Sequence, residues 1–427
     1  MSFDQLGLSA ELLKAINQKG YSNATPIQKK AIPIILSGDD LLAGAPTGTG
    51  KTASFTLPLL EKLKNGRQKG KEIRALILVP TRELASQVAD NVHNYANYLP
   101  LKVAKIYGGV SIGPQKAKLR KGVDIVVATP GRLLDHMMQR SISLTGVETI
   151  VLDEADRMLD MGFIKDIRKI LAKVPKKRQT LLFSATFSAP IKELANDFLN
   201  SQKEVQIAGK NKFVDKVKQV VYLTDRGQKN KLLLALIMSE SWNQVLVFVR
   251  TKHGADRLTK YLLSEGIRTL AIHSNKSQLV RSRSLDDFKS GKAQVLVATE
   301  VASRGLDIEK LPYVVNYDLP DQPDDYIHRI GRTARAGKDG IAVSLVGSDE
   351  GKLLYSIERF INIEINKVVL EGFEPTRNLK IREFKKSASS KPKRKRSRGP
   401  FSDDQSASSK PKRKRSSKKN TLSNSAI

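Results

Sequence analysis

The 427-residue chain has no cysteine. That excludes disulfides, iron–sulfur clusters and cysteine-ligated zinc, and it is compatible with a reducing cytosol without proving one. Histidine is scarce: five are scattered along the chain, none in a His-x-x-x-His pair, which argues against a structural metal. No apolar run approaches the ~20 residues of a membrane span. The opening "MSFDQLGLSAELLKAI" is acidic and amphipathic, so it lacks the basic-then-apolar layout of a signal peptide. A soluble protein with no membrane partner is expected. Acidic charge is in short supply as well, and the net charge of +31 invites a polyanion.

That charge is unevenly distributed. From Thr376 onward 18 Lys and Arg face 3 Asp and Glu, so this short segment carries +15 of the total. Within it "SASSKPKRKRS" occurs at 387–397 and again, unchanged, at 406–416. Serine, proline and like charges supply no core, so a disordered basic low-complexity tail is expected over residues 371–427.

The rest of the chain alternates short apolar runs with helical stretches. "DLLAGA", "RALILVP", "KVAKIY", "VDIVVATP", "TIVLDEAD", "TLLFSAT" and "EVQIA" come first; "QVVYLT", "QVLVFVR", "RTLAIHS", "AQVLVATE", "LPYVVNYD" and "GIAVSLV" follow. Most runs are continuously apolar, which suits parallel strands covered by helices on both faces. The basic stretch "AGKNKFVDKVKQ" divides the two sets. The reading is α/β: one domain over residues 1–208, a linker over 209–217 and a second domain over 218–370.

"APTGTGKT" follows the first apolar run and opens the helix-like "ASFTLPLLEKL". A glycine loop in that setting turns backbone N–H groups onto phosphate oxygens, and a helix N-terminus adds a favourable dipole. Thr47, Gly48, Thr49, Gly50, Lys51 and Thr52 are the candidate phosphate-binding residues, with Lys51 reaching the β- and γ-phosphates and Thr52 ligating Mg²⁺. Such a loop needs a second strand-end carboxylate for the metal. Asp153 ends the run "TIVL" as that residue should; Glu154 would then accept the proton of the attacking water, and Asp156 could bridge to other elements.

Asp153-Glu154-Ala155-Asp156, with the phosphate loop before it, resembles the DEAD-box ATP-dependent RNA helicases, and the opening "MSFDQLGLS" looks most like their bacterial RhlE-type branch. The resemblance runs over roughly residues 1–350 and implies two tandem RecA-like domains, with parallel sheets flanked by helices. It implies that Gln28, in "GYSNATPIQ" beside Thr25, reads the adenine edge while Phe3 stacks on the base, and that Asp307 bonds the ribose. A carboxamide suits adenine because it offers a donor and an acceptor together. Pro80, Thr81 and Arg82, Gly108 and Gly109, and Thr129, Pro130, Gly131 and Arg132 resemble the RNA-contacting segments of the first domain. Ser184 and Thr186 of "SAT" resemble the segment coupling nucleotide state to unwinding.

In the second domain the resemblance assigns Arg250, Thr251, Lys276, Gln278, Arg281 and Thr299 to RNA binding or domain closure. Arg329, Arg332 and Arg335 recur at i, i+3, i+6, which predicts one basic helical face. The family makes Arg332 and Arg335 fingers on the γ-phosphate, and it places His328, with Arg329, in the coupling network of Asp156. Ser274-Asn275, Glu300, Ser303 and Ala334 stand where family members have Gly-Asp, Asp, Ala and Gly. None is a phosphate or magnesium residue, so activity is expected to persist with altered coupling. The implied protein is a monomer of the cytoplasm that hydrolyses ATP with Mg²⁺ and unwinds short RNA duplexes or remodels RNA–protein complexes. Its partners would be structured RNA, with ribosomal particles or the RNA-decay machinery beyond it. A DNA-translocating helicase and a non-enzymatic RNA clamp remain the alternatives.

Overall fold

The computed structural model describes residues 2–46, 48–65, 72–207, 217–303, 308, 311–333 and 340–376. Two seven-stranded sheets organise them. The first contains β1 (Leu41–Gly44), β2 (Ala75–Leu78), β3 (Val103–Ile106), β4 (Ile125–Ala128), β5 (Thr149–Leu152), β6 (Gln179–Ser184) and β7 (Lys203–Gln206). The second contains β8 (Val217–Leu223), β9 (Val245–Val249), β10 (Thr269–Ile272), β11 (Val295–Thr299), β12 (Tyr313–Asn316), β13 (Gly340–Val346) and β14 (Asn366–Val368). All thirteen apolar runs form strands. β14 escaped the sequence reading because it is three residues long with none of its residues buried.

Strand order is β3-β4-β2-β5-β6-β1-β7 in the first sheet and β10-β11-β9-β12-β13-β8-β14 in the second. Counted from its own first strand, the second sheet repeats the order of the first, so the chain is two copies of one parallel topology. Every strand pair is parallel. Parallel pairing requires helical crossovers, and these cover both faces of each sheet, which is why strands such as β2, β4 and β5 are buried at each position. Alternate residues of β2 accordingly join different cores: Ala75 and Ile77 pack on one side, Leu76 and Leu78 on the other. Among the described residues no helix is long and apolar enough to cross a membrane.

This topology positions the chemistry. β1 and β5 both flank β6, so the loops leaving their carboxyl ends lie two strand spacings apart, ~10 Å. Carboxyl ends of strands are where open α/β sheets bind ligands.

Candidate active site

β1 is fully buried and delivers the chain to the phosphate loop, whose first amide, from Ala45, is held by the carbonyl of Ser184 on β6 at 3.1 Å. The helix Lys51–Leu63 starts at the loop's end. Gly50 lies at φ +90°, and a Cβ there would stand 2.4 Å from Nε2 of Gln28, so only glycine fits. Gln28 is buried; its Oε1 accepts from the Thr25 amide at 2.9 Å and its Nε2 donates to the Gly50 carbonyl at 3.2 Å. A carboxamide has two donor hydrogens and two acceptor lone pairs, so one of each is left to face a base. Thr49 Oγ1 donates to the Pro46 carbonyl at 2.7 Å. Lys51 is buried, yet among the described residues its Nζ has no hydrogen-bond partner. An orphaned ammonium in such a place is costly unless an anion meets it.

Asp153, directly after β5, is buried, and its Oδ1 accepts from the Glu154 amide at 3.0 Å. Burial pushes its pKa up to about 7; the Lys51 ammonium pulls it down, while Glu154 and Asp156 raise it further. Glu154 sits at φ +53°, ψ +50°, the left-handed region that non-glycine residues rarely adopt. Asp156 Oδ2 accepts from the amides of Ala185 at 3.0 Å and Thr186 at 3.2 Å, and the Thr186 amide also reaches Ser184 Oγ. The third carboxylate therefore bridges the ends of β5 and β6.

A carboxyl whose pKa rises on folding keeps its proton in the native state after the unfolded chain has released it. Stability therefore falls as pH rises from about 4 to about 7 and the cost levels off above that. Asp153→Asn should remove a cost on the order of 4 kcal/mol at pH 8. Without nucleotide or metal, the variant is expected to melt above the parent at pH 8 and to gain much less at pH 5. Thermal unfolding at the two pH values checks this; equal gains would detach the effect from the carboxylate's charge.

The second lobe contributes through the helix Pro323–Ile330. Arg332 follows its end and lines, with Lys51, Thr52, Asp153 and Glu154, a cavity of about 350 Å³ that also takes in Phe3, Thr25, Gln28, Gly48 and Gly50. Of the three arginines predicted to form one basic face, Arg329 and Arg332 do not share a helical face, because the helix ends at Ile330. Arg329 points into its own lobe, where it meets Glu300 at 2.5 Å, Asn316 Oδ1 at 3.2 Å and the Asp318 carbonyl at 2.7 Å, over the Phe248 ring. Glu300, one of the departures, is thus the counter-charge of a buried arginine. His328 is half-buried on the same helix. Thr47, Asp307, Ala334 and Arg335 lie outside the described residues.

Sequence reasoning missed the cavity's other wall. Leu84, Gln87, Asn91 and Tyr95 line it together with Tyr21 and Asn23. The first four recur at i, i+3, i+7, i+11 of the helix Arg82–Tyr95, a stripe that periodicity could have isolated but not assigned to a cavity.

The remaining candidates lie on strand-end loops. After Pro80, Thr81 caps the helix Arg82–Tyr95 by accepting from the Leu84 amide at 3.3 Å. Gly109 is at φ +76°, and a Cβ there would fall 1.8 Å from Nη1 of Arg82, so the guanidinium rests on a residue that must be glycine. Thr129 is the cap position of the helix Pro130–Met138, in which Gly131 is exposed and Arg132 donates to the Val110 carbonyl at 3.0 and 3.1 Å. The Arg82, Gly108-Gly109 and Arg132 segments are therefore interlocked. In the second lobe the Arg250 amide donates to Asp318, Thr251 caps the helix Lys252–Ser264, Lys276 pairs with Asp256 at 2.9 Å and Thr299 ends β11. Asn275 accepts from Lys252 at 3.1 Å and Ser303 Oγ donates to the Glu300 carbonyl at 2.8 Å. Gln278 and Arg281 reach across to Glu83 of the first lobe, at 3.0 and 2.8 Å. Both side chains stand in the lobe interface.

A lysine-bearing glycine loop and a buried acid at the ends of strands either side of β6, with an arginine arriving from a second lobe, make this a two-lobed P-loop nucleoside triphosphatase. The DEAD/DEAH box helicase family model matches residues 25–194, and the helicase conserved C-terminal domain matches residues 228–337. The chain is 44% identical over 359 residues to the DEAD-box ATP-dependent RNA helicase CshA of Bacillus subtilis (84% of this chain, 72% of that protein). It is 42% identical over 364 residues to the DEAD-box ATP-dependent RNA helicase RhpA of Helicobacter pylori (85% and 73%). Among solved structures, S. cerevisiae Dbp5 bound to RNA and ADP BeF3 has a TM-score of 0.78 at 32% identity, covering 86% of this chain and 95% of that one. Mss116p bound to ssRNA and AMP-PNP has 0.79 at 30% (87% and 80%). The chain belongs to the DEAD-box ATP-dependent RNA helicases.

Proposed function

We propose that ATP and RNA draw the two lobes together, that closure completes the catalytic centre and parts a short RNA duplex, and that hydrolysis reopens the lobes. One observation carries this reading: Arg332 of the second lobe lines the same cavity as Lys51, Asp153 and Glu154 of the first. The lobes are assigned to residues 1–208 and 218–370, with 209–217 joining them and 371–427 as a basic extension. Phe3, Thr25, Gln28 and Asp307 take the adenosine. The phosphate loop, Thr47 included, takes the triphosphate, Glu154 accepts the water's proton, and Arg332 and Arg335 meet the γ-phosphate. Among the described residues no three acidic or histidine side chains converge on a metal site. Thr52 and the buried Asp153 carboxylate line one cavity and would suit a magnesium ion completed by phosphate oxygens, since Mg²⁺ is commonly bound by one or two carboxylates plus substrate. When bound, it would neutralise phosphate charge.

RNA is gripped by the interlocked Arg82, Gly109 and Arg132 segments and by Arg250, Thr251, Lys276 and Thr299, with 2′-hydroxyl contacts giving preference over DNA. Gln278 and Arg281 act in closure, and Asp156, Ser184, Thr186, His328 and Arg329 in coupling. Membership of the RhlE-type branch, a monomeric cytoplasmic enzyme and a role in ribosome assembly or RNA turnover complete the proposal. ATP hydrolysis with no nucleic acid, with structured RNA and with DNA tests it. RNA alone should stimulate; equal stimulation by DNA favours a DNA translocase, and no hydrolysis at all favours a clamp.

The extension carries its own prediction. Its lysines and arginines should tether structured RNA without sequence preference, each neutralised phosphate adding ~0.7–0.9 to the slope of log affinity against log salt. Cutting the chain after Glu374 is expected to weaken RNA binding and flatten that slope while RNA-saturated ATP turnover survives. Binding titrations at several salt concentrations measure it, and an unchanged slope would retire the tether.

A further inference from the structure

The helix Pro323–Ile330 is fixed to its own lobe from inside by Arg329. It has a second anchor, on the other lobe. Asp325, in its first turn, accepts from Nη1 of Arg157 at 2.7 Å, and the two side chains are only 14% and 8% exposed. Arg157 belongs to the short helix Ala155–Asp160, which begins immediately after Glu154. Its neighbour Asp156 holds the Ala185 and Thr186 amides. One guanidinium thus joins the segment bearing the catalytic carboxylates to the helix that delivers Arg332. Seven residues separate Asp325 from Arg332, ~10 Å along a helical path, so pinning one end sets where the other lands. The Glu83 contacts with Gln278 and Arg281 hold the lobes together but touch neither of these segments.

We infer that Arg157 and Asp325 are positioning residues for hydrolysis: a closure-dependent ion pair that registers Arg332 against Glu154. The inference rests on the proposed closure. A pair this dry contributes little net attraction, because desolvating two charges nearly cancels their Coulomb energy. Its leverage is asymmetric. With one partner removed, closure still desolvates the other charge but takes away its 2.7 Å counter-charge, leaving Arg157, for example, with Asp160 at only 3.9 Å; with the lobes apart, both charges are hydrated and neither matters. Single neutral replacements should therefore penalise only the closed state, and replacing both should relieve the penalty.

The chain has no cysteine, so Met138→Cys in the first lobe and Leu263→Cys in the second, both at exposed positions, supply the only thiols for a fluorescent distance pair. In this labelled full-length protein, with a non-hydrolysable ATP analogue and RNA, Arg157→Met and Asp325→Asn are each expected to cut the closed fraction. In the unlabelled protein each should lower RNA-stimulated kcat tenfold or more and raise the KM for RNA. Nucleotide affinity without RNA and the melting temperature should stay within twofold and a degree or two of the parent. The double variant should recover most of the loss. Losses that multiply in the double, or singles that close and turn over like the parent, overturn the inference, as does a fall in melting temperature that accounts for the loss. If the parent closes but RNA does not stimulate hydrolysis, the proposed function fails while the pair is still judged by the closed fractions.

Discussion

Glu154→Gln is expected to stop ATP turnover, by ~10²–10⁴-fold in kcat if its carboxylate is the general base, while ATP and RNA binding stay within a few-fold of the parent. The reason is geometric. Glu154 lines the cavity beside Lys51 and Asp153, and among the described residues its side chain makes no hydrogen bond to the fold, so glutamine preserves the shape and removes only the proton acceptor. Its backbone is held independently: the amide donates to Asp153 Oδ1 and the carbonyl accepts from the Met158 amide at 3.1 Å. The left-handed conformation at φ +53° should therefore survive the substitution and keep Asp153 and Asp156 in place. Steady-state hydrolysis, equilibrium nucleotide binding and RNA binding measure the three quantities. Undiminished hydrolysis would move the base elsewhere; a joint loss of binding and turnover would mean that the loop, not the chemistry, had changed.

What could be read from the sequence was what local pattern encodes. Continuous apolar runs such as "RALILVP" and "AQVLVATE" gave the strands because parallel strands are buried on both faces. The phosphate loop and Asp153 were legible because each chemical group follows a strand directly, so chain position alone puts it at a carboxyl end. Illegible were the partnerships made by tertiary packing. Arg329 and Arg332 share a spacing, yet the helix ends at Ile330, so one turns inward to Glu300 and the other enters the cavity. Gln278 and Arg281 read as residues of RNA binding or domain closure, but that Glu83, 195 residues earlier than Gln278, is their shared acceptor is written only in the packing. Gln87 and Asn91 read as ordinary polar residues of an amphipathic helix, and nothing along the chain says that their face borders a cavity. Strand order explains the rest: β1 and β5 are far apart in sequence and become near neighbours only because β6 inserts between them.

Arg332→Ala is expected to cost ~10³–10⁵ in RNA-stimulated kcat, the range for an arginine that neutralises charge in phosphoryl transfer. The loss should fall on turnover and not on folding, because the backbone there is secured without the guanidinium. The Arg332 amide donates to the Arg329 carbonyl at 3.1 Å, its carbonyl accepts from Leu311 at 3.0 Å, and Thr333 forms a bridge with Leu311. Nucleotide affinity of the free enzyme should change little, since Lys51, Gln28 and the glycine loop all belong to the first lobe. Arg332→Lys should recover only a small part of the rate: an ammonium keeps the charge but lacks the planar fork that meets two phosphate oxygens at once. Arg329→Ala is the contrasting variant, because it removes the donor shared by Glu300, Asn316 Oδ1 and the Asp318 carbonyl and should lower the melting temperature, which the Arg332 variants should not. Turnover of Arg332→Ala within tenfold of the parent would place the catalytic centre wholly in the first lobe, and a second lobe that adds nothing to the chemistry would leave closure without a means of driving hydrolysis.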